Sequence, residues 1–400
     1  MHLCFFHMKR IIPILLFGLV LSLKTILAQP VQLSDKAAIS VLTCAAGTQL
    51  YYAFGHTAFR VKDPVQRIDV VYNYGTFDFN KPNFYLNFVK GKLVYSLSRR
   101  SFDAFLYEYD LEKRWVKEQI LNLNPQEVNQ LFTLFEDNYK PENRDYLYDP
   151  LFNNCSSITG DILKKQFGSR IVFGDAHIEQ KETFRQLVRE FIPINSWGAF
   201  GIDLAFGGIT DQYANVREQM FLPYYAMEQL KHTTKDGKPL VLRERTILNY
   251  PEQDWHGTFI TTPFFWFSIL LILVSCITYL DFKHKTRSKL TDAFLFFLSG
   301  LCGLFLILLW LATDHEVTKY NLNFLWLLPF NLYVVFYLLK AKKLPKWISI
   351  YCYVALTLLG LALILWLFGI QVLSPISTLP ILTLAIRYTY LSQFRKITAA

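Results

Sequence analysis

The chain has 400 residues, of which 52% are apolar and 18% are charged, and its formal net charge is +9. This length exceeds one ordinary soluble core, and the composition is typical of a soluble domain joined to membrane-spanning helices. Much of the basic excess lies in short loops between apolar runs, which indicates membrane topology and argues against a nucleic-acid-binding protein.

The first 28 residues have the pattern of a secretory signal peptide. Lys9 and Arg10 precede an apolar run over 11–23, and Ile26-Leu27-Ala28 offers a cleavage site before Gln29. An uncleaved membrane anchor is the alternative. In both cases residues 1–28 direct the next segment, 29–260, out of the cytoplasm.

The exported segment 29–260 is predicted to have an α+β fold. Alternating and β-branched runs predict strands at Ile39–Cys44, His56–Val61, Ile68–Tyr74, Lys92–Ser98, Val116–Leu123 and Leu240–Leu248, the last after a turn at Asp236-Gly237. Helices are predicted at Asn124–Tyr139, from about Cys155 to Phe167, at Lys181–Phe191 and at Asn215–Lys231.

The remaining segment, 261–400, is predicted to be an all-α transmembrane domain. Five apolar runs are long enough to cross a bilayer, near 263–282, 292–312, 322–340, 347–368 and 376–393. The first and third loops between them and the C-terminal tail are rich in Lys and Arg, whereas the second and fourth loops are poor in both. The positive-inside rule therefore places the exported domain outside the membrane and the C-terminus in the cytoplasm.

Cys155 is the candidate nucleophile. It follows two asparagines at the predicted start of a helix, where backbone N–H groups and the helix dipole favour a thiolate and can donate to an oxyanion. The six cysteines show no CxxC pair and no metal spacing, so no metal site is expected. The alternatives are a buried apolar role for Cys155 and a disulfide with Cys44 in an oxidising compartment.

His56 is the candidate general base. It follows Gly55 and begins a predicted strand, and a Cys–His pair is suited to acyl transfer through a covalent acyl-enzyme. A hydrogen-bonded core histidine is the structural alternative.

A third residue is expected to orient the imidazole. If Lys62 and Arg67 flank a tight turn, His56 lies opposite Asn73 on one face of the sheet. Asn73 is therefore the candidate, and Asp69 and Tyr72 are its rivals.

Further residues are candidates for the oxyanion site or for substrate binding, each with a structural alternative. The Asn154 amide can donate to the oxyanion or cap the helix. The candidates that line the cleft or merely pack are Arg144, Tyr146 and Tyr148. Asp314 and His315, between the second and third spans, can bind lipid or substrate or simply face water.

Several segments resemble the Bacteroidota-type apolipoprotein N-acyltransferase family, and the His-before-Cys order resembles the circularly permuted papain-like group, which includes lecithin:retinol acyltransferase-like enzymes. The segments that carry the family resemblance are Leu42 to Cys44, Phe54-Gly55-His56-Thr57, Val71 to Phe79, Asn143 to Tyr146, Asn153-Asn154-Cys155-Ser156, Gly201 to Leu204, Met220 to Pro223 and Asn323 to Trp326.

This resemblance implies a permuted papain-like domain in the periplasm, followed by five transmembrane helices in a bacterial inner membrane. It implies transfer of a fatty acyl chain from a phospholipid to the α-amino group of a diacylglyceryl-cysteine lipoprotein, without a cofactor. Cys155 would carry the thioester and His56 would be the base. The chain departs from the family pattern at Gln49, where an acidic residue is common, and at 158–160, where a basic residue is common.

Two other functions compete with this interpretation. One is a membrane-tethered cysteine peptidase or amidase that acts on cell-wall peptide. The other is a non-catalytic exported binding or sensor module, which predicts a Cys44–Cys155 disulfide.

Overall fold

The computed structural model describes residues 31–77, 82–253, 257–341 and 343–399. The predicted signal peptide at 1–28 lies outside these residues. The described chain contains a sheet-rich N-terminal domain followed by a helical C-terminal region, as the α+β prediction requires.

The strands are β1 (Ala38–Cys44), β2 (His56–Asp63), β3 (Ile68–Thr76), β4 (Val94–Ser101), β5 (Val116–Leu121), β6 (Asp145–Leu147), β7 (Ile171–Phe173), β8 (Thr233–Lys235), β9 (Lys238–Pro239) and β10 (Val241–Leu248). The main sheet has the order β10-β5-β1-β2-β3-β4-β6, and its neighbouring strands are antiparallel. β7, β8 and β9 form a second, small sheet.

The helices of the N-terminal domain are α1 (Phe84–Val89), α2 (Phe102–Leu111), α3 (Pro125–Tyr139), α4 (Ser157–Phe167), α5 (Phe184–Arg189), α6 (Trp197–Ala205) and α7 (Pro223–Lys231). Those of the C-terminal region are α8 (Pro263–Lys283), α9 (Lys289–Leu311), α10 (Asn331–Lys340), α11 (Lys346–Leu367) and α12 (Thr378–Ala399).

The main sheet is covered on both faces, so its alternating side chains belong to two cores. On one face Phe59 and Tyr72 pack against Phe135 of α3, with ring centroids 4.8 and 5.1 Å apart. On the other face Val71, the neighbour of Tyr72, packs with Phe105 of α2. Two residues adjacent in sequence thus enter opposite cores because side chains alternate along a strand.

The start of α3 follows the sequence prediction. Asn124 Oδ1 accepts a hydrogen bond from the Glu127 amide at 2.9 Å, and Glu127 Oε2 accepts one from the Asn124 amide at 3.0 Å. Pro125 occupies the first helical position, where its missing N–H costs nothing. This reciprocal cap fixes the helix that covers the sheet face behind β2 and β3.

The predicted register of the β2–β3 hairpin is wrong by two residues. The structure pairs Asp63 with Ile68 and Phe59 with Tyr72, so the loop comprises residues 64–67 rather than 63–66. Arg67 takes a left-handed φ of 55°, which closes the displaced four-residue loop. Because side chains repeat every two residues along a strand, this shift leaves each side chain on the predicted face.

Proline shortens the predicted helix at 215–231. Residues Glu218–Phe221 form a 3₁₀ turn, and α7 begins only at Pro223, which disfavours helical backbone in the residue before it. The helices α1, α2 and α6 were not predicted.

Three described helices are long and apolar enough to cross a bilayer: α8, α9 and α11. The third predicted span, 322–340, is not one helix. It contains a 3₁₀ turn at Leu322–Leu325 and the ten-residue α10, with Pro329 between them, because proline cannot continue a hydrogen-bonded helix. The fifth predicted span corresponds to α12, a helix of 22 residues that is long enough but is not among the three that are also apolar enough.

The N-terminal domain contacts the loops of the helical region through α6 and the residues after it. Asn321 Nδ2 donates to the carbonyl oxygens of Leu204 and Ala205, each at 2.9 Å. Gln371 Nε2 donates to the Phe206 carbonyl at 3.3 Å. Side-chain amides from two different loops thus satisfy the carbonyls at the end of α6.

A buried ion network stabilises this contact region. Arg185, which is 1% exposed, binds Asp203 Oδ1 through Nη1 at 3.2 Å and Asp211 Oδ1 through Nε at 2.7 Å. Arg189 binds Asp203 Oδ2 at 2.9 Å and donates to the Leu373 carbonyl at 3.2 Å. The network therefore links α5 and α6 to the loop that precedes α12.

Replacing Asp203 by alanine is expected to destabilise the protein by about 3–5 kcal/mol, because two arginines lose a buried partner. Asp137→Ala is the matched control, since its pair with Lys140 is about half exposed and contributes little to stability. Thermal unfolding in detergent measures both. Equal shifts in midpoint would contradict a structural role for the network.

Candidate active site

The site lies where β2 and β3 separate. Their pairing ends at Phe59 and Tyr72, so the start of β2 and the end of β3 extend beyond it. The register between β3 and β4 also shifts after Asn73, and Gly75 has a φ of +98°. This irregular backbone opens a gap at the edge of the paired region.

Gly75 faces both members of the predicted pair. A Cβ atom placed on Gly75 would lie 3.3 Å from Cys155 Cβ and 3.5 Å from His56 Cε1. The cysteine and the histidine, distant in sequence, therefore converge on one point. Glycine is favoured there by the positive φ, and a side chain would also press on Cys155.

Asn73 holds the imidazole. Its Oδ1 lies 2.6 Å from His56 Nε2. A carbonyl oxygen only accepts, so Nε2 is the donor and Nδ1 is the nitrogen left to take a proton. The observed register places Gly75, and not Asn73, opposite His56. Asn73 is two residues from Gly75 and therefore lies on the same face of the sheet, so the contact with His56 still forms.

The two rival residues have other partners. Asp69 forms an ion pair with Arg60, with Oδ2 2.6 Å from Nη2. The Tyr72 hydroxyl donates to Glu136 on the opposite face of the sheet. Neither side chain therefore orients His56.

Cys155 precedes α4 rather than lying in its first turn. The helix begins at Ser157, two residues later than predicted, and ends as predicted before Gly168. Asn154 Oδ1 accepts from the amides of Ser156 and Ser157 at 2.8 and 2.9 Å, which fixes the turn that presents Cys155.

The prediction of an oxyanion role for the Asn154 side chain is wrong. Its Nδ2 donates to the carbonyls of Pro150 at 2.6 Å and Phe221 at 2.9 Å, so both of its protons are used. The backbone N–H groups of Thr57 and Cys155 instead lie within reach of the thiolate and lower its pKa. Backbone N–H groups beside a nucleophile are the kind of donor that an oxyanion requires.

Electrostatics favour charge separation in the pair. Burial raises the pKa of the Cys155 thiol, but the charge and hydrogen bond of His56 oppose it and leave that pKa below its usual value. Burial lowers the pKa of His56, yet the Cys155 charge, together with hydrogen bonds to Cys155 and Asn73, leaves that pKa raised. The arrangement thus stabilises a thiolate beside an imidazolium.

Three tyrosines lie near the thiol. The rings of Tyr148 and Tyr95 stack with centroids 4.2 Å apart. Burial raises the pKa of Tyr148, Tyr95 and Tyr146, and the negative charge of Cys155 raises each of them further. Their hydroxyl groups therefore remain protonated at neutral pH. Arg144, by contrast, is exposed, and its carbonyl accepts from the Leu97 amide at 2.8 Å.

Cys44 and Cys155 are free thiols. Cys44 lies opposite His56 in the β1–β2 pairing and is fully buried. Burial raises the pKa of Cys44 to about 12, so this thiol is inert at neutral pH. The disulfide expected for a non-catalytic module does not occur in the structure.

Asp314 and His315 lie beside the α1–β4 loop. The Asp314 amide donates to the Lys90 carbonyl at 2.9 Å. Burial lowers the pKa of His315, while the Asp149 carboxylate and the Phe88 backbone act in the opposite direction. Asp149 belongs to the loop that carries Cys155, so the loop between α9 and α10 reaches this segment.

Sequence reasoning missed Gly75, Tyr95 and the Thr57 amide. Gly75 follows the Tyr-Asn-Tyr run at the end of a predicted strand, a position where glycine often marks a bulge. Tyr95 and Thr57 carry no such local signal. Among the described residues, no group of three or more His, Cys, Asp and Glu side chains has the arrangement of a metal site.

Comparisons with known proteins bear on both parts of the chain. A model of the Lnb N-terminal periplasmic domain matches residues 31–190, and a model of the Lnb transmembrane domain matches residues 254–397. No curated protein and no solved structure matches the chain.

Alkylation of Cys155 by iodoacetamide is expected to rise with pH through an inflection below the value of about 8.5 for a free thiol. His56→Ala should move the inflection upward, because burial then acts without the opposing imidazole. Cys44→Ala is the control and should leave the profile unchanged. An inflection at or above that of free cysteine in the unmodified protein would contradict the ion pair.

Gly75→Ala is expected to slow alkylation of Cys155 at neutral pH by about tenfold, because the added methyl group presses on Cys155 and displaces it from His56. Gly237→Ala tests backbone strain alone, since Gly237 has a φ of +73° and nothing within 4 Å of an added Cβ. Both alkylation rates are followed by mass spectrometry. Equal effects would show that strain, and not contact with the pair, is responsible.

Proposed function

The chain belongs to the Lnb family, with a periplasmic N-terminal domain and a transmembrane domain, and from this premise we propose that it is a lipoprotein N-acyltransferase. It moves a fatty acyl chain from a phospholipid to the α-amino group of a diacylglyceryl-cysteine lipoprotein. The observation that carries the proposal is the convergence of Cys155 and His56 at Gly75.

The first half-reaction forms a thioester. His56 Nδ1 holds the thiol proton, and the Cys155 thiolate attacks the carbonyl carbon of the phospholipid ester. The backbone amides of Thr57 and Cys155 donate to the oxygen as it becomes negative. The ester bond then breaks, and His56 returns its proton to the departing glycerol oxygen, so that lysophospholipid leaves.

The second half-reaction transfers the chain. The α-amino group of the lipoprotein attacks the thioester carbonyl while His56 accepts a proton from it. The carbon–sulfur bond breaks, an amide forms, and the thiolate is restored. Asn73 keeps Nδ1 directed to the reacting atoms in both steps through its contact with Nε2.

The membrane arrangement belongs to the same proposal. Residues 1–28 are a signal peptide, residues 29–260 are the catalytic domain, and residues 261–400 hold the transmembrane helices with the C-terminus in the cytoplasm. The site then works at the outer leaflet of the bacterial inner membrane, where both substrates are anchored. Contact with lipid limits water, which would otherwise hydrolyse the thioester.

Mass spectrometry of the full chain in phosphatidylethanolamine nanodiscs tests the proposal. An acyl adduct is expected on Cys155, and it should be absent in Cys155→Ala and retained in Cys44→Ala. His56→Ala should slow its formation on the order of 10²- to 10⁴-fold, the usual contribution of a general base. A protein that never acquires the adduct from phospholipid would contradict the proposal.

Transfer is tested on the loaded enzyme. A synthetic diacylglyceryl-cysteine peptide with a free α-amino group should discharge the thioester and gain one acyl chain, while the same peptide with an acetylated amine should not. Hydrolysis of soluble cell-wall peptides without lipid would instead favour the peptidase or amidase.

A further inference from the structure

Helix α1 exposes an apolar surface. The side chains of Tyr85, Leu86, Phe88 and Val89 are between 51% and 71% exposed, and none of the six described residues of this helix is buried. Contiguous exposed apolar side chains of this size mark a site of contact with another protein or with a membrane.

The position of α1 favours a membrane as the contact partner. The Asp314 amide donates to the Lys90 carbonyl at 2.9 Å, and α9 ends at Leu311, three residues before Asp314. Three extended residues span at most about 10 Å. Since α9 is an apolar helix of 23 residues, its end lies near the outer edge of the hydrocarbon, and α1 lies there with it.

Two further features favour a lipid surface at α1. Gly91, next to Lys90, packs closely on the loop that follows α9, since an added Cβ would lie 2.6 Å from the backbone nitrogen of His315. This close contact fixes α1 against the end of α9. Lys90 and Lys92 are exposed at the C-terminal end of α1, although Lys92 also lies 3.8 Å from Asp314. Lysines beside an apolar surface suit a layer of phosphate head groups.

Aromatic rings connect α1 to the nucleophile. The Phe84 ring lies 6.3 Å from the Phe77 ring, and Phe77 lies 5.2 Å from Tyr95. Tyr95 stacks on Tyr148 at 4.2 Å, and the charge of Cys155 acts on both tyrosines. We name these four rings, Phe84, Phe77, Tyr95 and Tyr148, the aromatic track.

We propose that α1 inserts into the outer leaflet and that the aromatic track binds the acyl chain of the phospholipid donor on its way to Cys155. Flat rings offer apolar contact to a methylene chain. The insertion of α1 stands by itself, whereas the role of the aromatic track rests on the proposed acyltransferase function.

Photocrosslinking tests the insertion. Benzoylphenylalanine is placed at Phe88 or, as the control, at Tyr107 of α2, which is 63% exposed. The full chain is irradiated in palmitoyl-oleoyl phosphatidylethanolamine nanodiscs, and its mass is then measured by mass spectrometry. A phospholipid adduct is expected from position 88 and not from 107. Equal adducts, or none at 88, would overturn the insertion.

Single-turnover acylation tests the aromatic track. Tyr95→Ala is expected to slow thioester formation from the same nanodiscs about tenfold or more, through the loss of one aromatic contact. Tyr95→Phe, which keeps the ring, should restore it, and Tyr107→Ala should have no effect. Alkylation of Cys155 by iodoacetamide should remain normal in all three variants, which shows an intact thiol and fold.

The outcomes separate the two proposals. Normal acylation of Tyr95→Ala would overturn the aromatic track and leave the acyltransferase standing. If Tyr95→Ala forms the thioester at the normal rate but transfers the acyl chain slowly to the diacylglyceryl peptide, the aromatic track binds the acceptor lipoprotein. That result would overturn its assignment to the phospholipid donor. An unmodified protein that forms no thioester would contradict the acyltransferase itself, while the crosslinking result would still decide the insertion of α1.

Discussion

A thiolate and an imidazolium stabilise each other only where both are held close and partly withdrawn from water. In this chain that condition depends on the gap between β2 and β3. His56 enters it from β2, Cys155 from the turn before α4, and Gly75 leaves the space in which they meet. The hydrogen bond from His56 to Asn73 fixes the imidazole, and the cap made by Asn154 fixes the turn that carries Cys155. The chemistry of the site follows from that geometry, because a displaced pair would leave a neutral thiol with a raised pKa.

A second constraint is the attachment of the N-terminal domain to the helical region. Side-chain amides at Asn321 and Gln371 and the buried Arg185 network join the two along α6. The Asp314 loop makes a further contact at the α1–β4 loop. With contacts at both places, the periplasmic domain is held to the outer loops of the helical region. The proposed reaction between two lipid-anchored substrates needs such an attachment, since neither proposed substrate would leave the bilayer.

Much of the fold could be predicted from local patterns, and the exceptions have physical reasons. Strand alternation and the Asn124 cap located most of the sheet and α3. The hairpin register was wrong because it depended on Arg67 adopting a left-handed conformation, which nothing in its sequence indicates. The Asn154 role was wrong because its partner Phe221 is distant in the chain. Helix α1 is too short for periodicity, and its position becomes evident only through the hydrogen bond between Asp314 and Lys90.

The account depends most directly on the coupling between Cys155 and His56. Nuclear magnetic resonance of protein labelled at histidine Cε1 reports the titration of His56 without any substrate. The pKa of His56 is raised by the neighbouring thiolate, against burial, which lowers it. Replacing Cys155 by alanine should therefore lower the pKa of His56, whereas Cys44→Ala should leave it unchanged. A His56 titration that is the same with and without the Cys155 thiol would contradict the pair on which the mechanism rests.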